Sequence, residues 1–171
     1  MQNPRSLTKQ LQLSAYLAIF AALLWPIASI VVRAVRSGSV ASHKAAIVVY
    51  QHADDPQTFR QFLTGAVAAG HVPVAHFYGD WCGLCRRFEA ALPDQRVQAA
   101  LRNTTLVEIN IDSCRALAAY YGVTAVPTFI KLTVQGQPLA KITSAEWYAD
   151  APEAIAPIMT KLVSTNAYNS K

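Results

Sequence analysis

The stretch 72-VPVAHFYGDWCGLCRRFEAAL-92 decides the reading of this chain. Val72 to Tyr78 is an apolar run rich in β-branched and aromatic residues and reads as a strand, while Cys82 to Leu92 carries its apolar positions at helical spacing. Trp81-Cys82-Gly83-Leu84-Cys85 therefore sits where a strand passes into a helix. A spacing of two residues brings both sulfurs within one turn, close enough for a small disulfide ring, and puts Cys82 at the helix N-terminus. Free N–H groups and the helix dipole there stabilise a thiolate, which lowers a cysteine pKa from ~8.5 toward ~3.5–7.5. Cys82 is thus expected to be the exposed, attacking sulfur and Cys85, one turn inside, the buried resolving sulfur. A bare Cys-x-x-Cys leaves a static disulfide and half a metal site open as well. A closed zinc site needs a second ligand pair, and only the lone Cys114 and scattered His43, His52, His71 and His76 are left to supply one. The strand before the motif, the helix after it and a downstream Val126-Pro127 favour redox catalysis without metal or organic cofactor.

Outward from the motif, strand-like and helix-like runs alternate. Ala45 to Tyr50 reads as a buried strand, and Pro56 to Ala69 as a helix with Phe59, Phe62, Leu63 and Val67 on one face, ended by Gly70. Asp94 to Leu101 is helical after Pro93, Leu106 to Ile111 is a strand, and Arg115 to Tyr121 a short helix. Thr128 to Val134 and Leu139 to Thr143 flank Gln135-Gly136-Gln137-Pro138 as a hairpin. Asp150 with Glu153 forms a capping-box pattern for a last helix that contains Pro157. This order predicts an α/β fold, a central mixed β-sheet with helices on both faces.

Three separated motifs resemble the thioredoxin superfamily, in family order: Phe77-Tyr78-Gly79-Asp80-Trp81-Cys82-Gly83-Leu84-Cys85, Asn110-Ile111-Asp112, and Gly122-Val123-Thr124-Ala125-Val126-Pro127-Thr128. The likeness covers about Ala45 to Val163. Within the superfamily, Tyr78-Gly79-Asp80-Trp81-Cys82 followed by Arg86-Arg87-Phe88-Glu89 looks most like the C-terminal, periplasmic thioredoxin domain of the membrane reductant conduit DsbD. The resemblance implies a thioredoxin fold and a redox-active Cys82–Cys85 disulfide. It also implies a cis-proline at Pro127 facing that pair, and a Val126 backbone offered to an incoming peptide strand. Trp81, Val126 and Pro127 are the expected substrate-binding residues, and the expected partners are protein thiols or disulfides and an upstream redox protein.

Departures from the family pattern carry information too. Leu84 stands where thioredoxins usually have proline and strongly oxidising members histidine, so a reductase or electron relay is favoured over an oxidase or isomerase. His76 replaces the family's buried acid, and Glu108 the lysine that accompanies it, a pair reversed in charge. His76 is a candidate general base for Cys85, oriented by Glu108, or else a hydrogen-bonded core histidine. Glu89, one helical turn beyond Cys85, matches an acid of the DsbD-like domain; it either tunes the thiols or is an exposed helix charge. Cys114 is read as packing, with a redox-sensing or intermolecular-disulfide thiol as the alternative, and Phe88, Leu92, Val97, Leu101, Tyr120 and Tyr121 are read as core or surface packing rather than substrate contacts.

The 171 residues allow one compact domain with an appendage. Apolar residues make up 53% and charged residues 15% of the chain, so disorder is excluded and a membrane segment expected. The formal charge of +5 lies wholly in residues 1–44, which hold five basic side chains and no acid; residues 45–171 balance ten against ten. No basic stripe is left for nucleic acid, and lipid headgroups are the better partner for the excess. Leu11 to Val32 carries no charge and as a helix would span about 33 Å, enough to cross a ~30 Å hydrocarbon core. A cleaved signal peptide, with Ser39-Val40-Ala41 as its cleavage site, is the competing reading. The expected organisation is a tail (1–10), a transmembrane signal-anchor (11–32), a juxtamembrane linker (33–44), a thioredoxin-like domain (45–165) and a C-terminal tail (166–171). The functional expectation is a thiol:disulfide oxidoreductase held by a single pass in a bacterial inner membrane, its catalytic domain periplasmic. A metal-binding assembly module on the same scaffold is the reading from a different class.

Overall fold

The computed structural model describes residues 44–165. Among them, strands β1 (Ala46–Val49), β2 (Val72–Tyr78), β3 (Thr104–Asn110), β4 (Thr128–Leu132) and β5 (Pro138–Thr143) form one sheet in the order β1-β3-β2-β4-β5. β1, β3 and β2 run parallel, whereas β4 is antiparallel to β2 and β5 to β4. The helices are α1 (Pro56–Ala66), α2 (Gly83–Ala91), α3 (Gln95–Ala100), α4 (Arg115–Tyr120) and α5 (Pro152–Ser164). The expected tail, anchor and linker up to residue 43, and the tail 166–171, lie outside the described residues. Among the described residues no helix is long and apolar enough to cross a membrane.

Successive side chains of a strand point to opposite faces, so the buried strands feed two cores. Val74, Leu106 and Phe129 pack with Phe88 of α2, Val97 of α3, Trp147, and Ile155 and Met159 of α5. Ala75, Phe77, Val107, Ile109 and Ile130 pack on the other face with Phe59 and Leu63 of α1 and Leu117 of α4. Helices on both faces make β2 a continuous apolar run, as a doubly covered strand must be.

Several element ends differ from expectation. α1 stops at Ala66 rather than Ala69, because Val67 is already extended; Gly70, with φ +80°, lies in the turn beyond it. β3 begins two residues early, at Thr104, since its register with β2 starts at Val72. The capping box at Asp150 does not form: Ala151 is the N-cap of α5 and makes no side-chain bond, and the Asp150 carboxylate accepts from Arg87 and Trp147 instead. Pro157 stays within α5, whose Ala154, Ile155, Met159 and Leu162 are buried.

Candidate active site

β2 ends at Tyr78, and a three-residue turn, Gly79 to Trp81, delivers Cys82 as the N-cap of α2. A Cβ on Gly79 would lie 2.8 Å from Trp81 Cε2, so glycine is what lets the indole lie against the backbone. Cys82 and Cys85 are joined as a disulfide with Cα atoms 5.3 Å apart. The Cys85 N–H points at Cys82 Sγ, 3.1 Å away, and the Arg86 N–H donates to the Cys82 carbonyl. The Cys85 N–H is one of the first-turn groups that have no partner within a helix, and it is aimed where a Cys82 thiolate would carry its charge. Cys82 is 5% exposed and Cys85 1%. The expectation of an openly exposed Cys82 is therefore corrected: it is the less buried sulfur of the pair but is largely covered.

The Val126–Pro127 peptide is cis, and the Val126 carbonyl oxygen lies 3.6 Å from Cys82 Sγ. Thr128 Oγ1 donates to the Ala125 carbonyl across this turn. On the other side of Cys82, Trp81 is 64% exposed, and its Nε1–H donates to Asp112 Oδ2 at 2.9 Å. The Asp112 N–H donates to Asn110 Oδ1, Asn110 Nδ2 donates to Asp80 Oδ2, and Arg86 Nη1 donates to the Asp80 carbonyl. Asp80, Arg86, Asn110 and Asp112 thus fix the turn that carries Trp81 and Cys82. All four belong to the motifs that carry the family resemblance, but none has a role legible from spacing, because Trp81 is 31 residues from Asp112 in the chain.

His76 and Glu108 are register partners on β2 and β3, with Nδ1 3.8 Å from Oε1. The imidazole is fully buried, stacked on Phe129 at 4.5 Å between centroids and met edge-on by Phe88 at 5.0 Å. Neither ring nitrogen has a hydrogen-bond partner among the described residues, so neither reaches a sulfur directly. Glu89 is exposed on α2. Burial pushes the Tyr78 phenol above its ordinary pKa, and the negative charges of Asp80, Glu108 and Glu89 push it further. Cys114 is buried in the core under α1 and α4, and burial pushes its thiol up. Phe88, Leu92, Val97, Leu101 and Tyr121 are buried as expected, while Tyr120 is half exposed.

The thioredoxin family profile matches residues 51–164. The chain belongs to the thioredoxin family. Cys82–Cys85 is its Cys-x-x-Cys pair. It is 36% identical over 85 residues to the thiol:disulfide interchange protein DsbD of Salmonella choleraesuis (strain SC-B67), a match over 46% of this chain and 15% of that protein. It is 31% identical over 80 residues to the mitochondrial thioredoxin-2 of Schizosaccharomyces pombe, over 47% of this chain and 58% of that one. The chain thus aligns with about a seventh of the DsbD length. Among solved structures, a mutant thioredoxin from Halobacterium salinarum has a TM-score of 0.50 at 21% identity, covering 74% of this chain and 97% of its own. That likeness shows the thioredoxin fold.

Proposed function

We propose that this thioredoxin-family protein reduces protein disulfides, or relays electrons to them, from an anchor in a bacterial inner membrane with its catalytic domain in the periplasm. The observation that carries the reading is the Cys82–Cys85 pair, held at the N-terminus of α2 beside the cis Val126–Pro127 peptide. Similarity to part of DsbD and Leu84 in place of histidine support the reducing direction. Leu11 to Val32 supports the anchor.

In the reduced protein, the Cys82 thiolate attacks one sulfur of a substrate disulfide. A mixed disulfide forms, and the other substrate sulfur leaves as a thiolate. Val126 and Pro127 receive the substrate backbone, and Trp81 lines the approach. Cys85 then loses its proton and attacks Cys82 Sγ, releasing the second substrate thiolate and leaving the Cys82–Cys85 disulfide. Two electrons pass to the substrate, and an upstream dithiol returns them. His76 is the group assigned to take the Cys85 proton as the reduced pair opens, with Glu108, 3.8 Å from the ring, holding the imidazolium by charge and Glu89 tuning the thiols from the surface of α2.

Turnover of insulin disulfides with dithiothreitol as electron source tests the reading. The full chain is expected to catalyse precipitation of the insulin B chain, and both Cys82→Ser and Cys85→Ser to abolish it. Stoichiometric retention of metal by Cys82 and Cys85, without turnover, would establish the assembly-module reading instead.

A further inference from the structure

The segment that follows β5 starts beside the cis-proline turn and is tied at its far end to α2. Thr143, the last residue of β5, pairs with Thr128, which follows Pro127, so the segment starts one strand, about 4.8 Å, from the cis-proline turn. Ser144–Glu146 makes a single 3-10 turn. Trp147 then turns inward and is buried on Phe88 and Phe129, with ring centroids 6.5 and 5.9 Å away, which carries the chain across to α2. It is fastened there: Arg87 Nη1 donates to Asp150 Oδ2 at 2.6 Å, and Trp147 Nε1 donates to Asp150 Oδ1 at 3.1 Å. Between these tethered residues Tyr148 is 86% exposed.

An aromatic ring held in water between two fixed neighbours gains nothing from the fold. It is, however, already partly immobilised for an intermolecular contact, and tyrosine and tryptophan dominate such contacts because they offer large areas at low conformational cost. The sheet order gives the ring its place. Trp81, bonded to Asp112 just beyond β3, stands on one side of β2; residues 144–150 follow β5 on the other; Cys82 follows β2 itself.

We propose that Tyr148 is a specificity-determining residue: its ring, on the segment tethered through Asp150 to Arg87, packs against a bulky apolar side chain flanking the substrate cysteine. The inference rests on the disulfide-exchange function above and deepens it by naming a class of substrate, extended cysteine-bearing segments with an apolar neighbour.

The test uses the pre-reduced full chain and three disulfides: bis(2-hydroxyethyl) disulfide and two peptides, each with one intramolecular disulfide, identical except for Leu or Ser beside the attacked cysteine. Second-order rate constants are measured by stopped flow. The wild type is expected to favour the Leu peptide, and Tyr148→Ala to reduce the Leu-over-Ser ratio about 3- to 10-fold, the size of a lost aromatic contact. Tyr148→Phe should keep the ratio, and Arg87→Gln should lower it in the same direction by freeing the segment. A ratio unchanged in Tyr148→Ala, or no preference in the wild type, overturns the inference while leaving the function standing. Failure of the wild type to reduce all three disulfides removes the function itself.

Discussion

A histidine buried to 0% exposure with no hydrogen-bond partner for either ring nitrogen among the described residues is costly to keep. Its stacking on Phe129 and edge contact with Phe88 recover part of that cost, and they fix the ring in a plane from which only small movement is possible. The general-base proposal gives the remainder a purpose. If His76 accepts the Cys85 proton, His76→Ala should slow release of the mixed disulfide and leave the first attack by Cys82 nearly intact, because that thiolate is stabilised by the N-terminus of α2. General bases contribute ~10²–10⁴-fold, and a thiol close to its own pKa needs less, so a slowing of about tenfold is expected. His76→Asp faces Glu108 at one register position and should rescue poorly, whereas His76→Asp with Glu108→Lys should rescue better. Rapid-quench measurement of the two steps separates these outcomes. A release step unchanged in His76→Ala from pH 6 to 8 would make the histidine a packing residue. At this scale the sequence was explicit about Cys82 and Cys85, whose spacing is itself the chemistry. It was silent about Asp112 and Tyr148, whose roles depend on what the fold brings near them.

Between elements, the groups that end one helix often come from another. α4 has no side-chain cap from its own N-cap residue Cys114; instead both carboxylate oxygens of Asp54, from the β1–α1 connection, accept from the Ala116 and Leu117 N–H groups at 2.8 Å. Asp54→Ala should therefore cost about 1 kcal/mol in urea unfolding, as the loss of an N-cap does, although the residue lies some sixty positions from the helix it caps. Lys131 likewise crosses from β4 to donate to the Val163 and Thr165 carbonyls at the end of α5, and burial lowers its pKa. Such caps are invisible to a linear scan, which searches for a cap beside its helix. The same logic explains Asp150, which has the right spacing for a capping box yet is drawn off by Arg87 and Trp147. A local cap was also present at α3: Asp94 accepts from the Arg96 guanidinium and backbone N–H, which lowers its carboxyl from 3.8 to about 2. A depressed carboxylate pKa stabilises the fold above the unfolded value and loses that contribution as pH falls through the folded one. The Tm of the wild type should thus fall between pH 4 and 2 more steeply than that of Asp94→Asn. Equal slopes would show that the Arg96 contact contributes no pH-dependent stability.

For the whole molecule, the alternation of strand and helix patterns made the mixed sheet legible, because β2 is covered on both faces and the helices bury single stripes. The charge distribution assigns the excess of five positive charges to residues 1–44, leaving the catalytic part balanced. If Leu11 to Val32 anchors the chain, the protein should stay with membranes after alkaline carbonate extraction and keep its first residues. A soluble product beginning near Ser42 would instead establish a cleaved signal. The central claim is chemical: Cys82 forms the bond to substrate and Cys85 breaks it. Expressing Cys85→Ser in cells under acid quench, with non-reducing electrophoresis of the products, tests it most directly. The account predicts protein adducts that collapse on reduction, vanish when Cys82 is also replaced and survive replacement of Cys114. Adducts that persist without Cys82, or none at all from a folded Cys85→Ser protein, would contradict it.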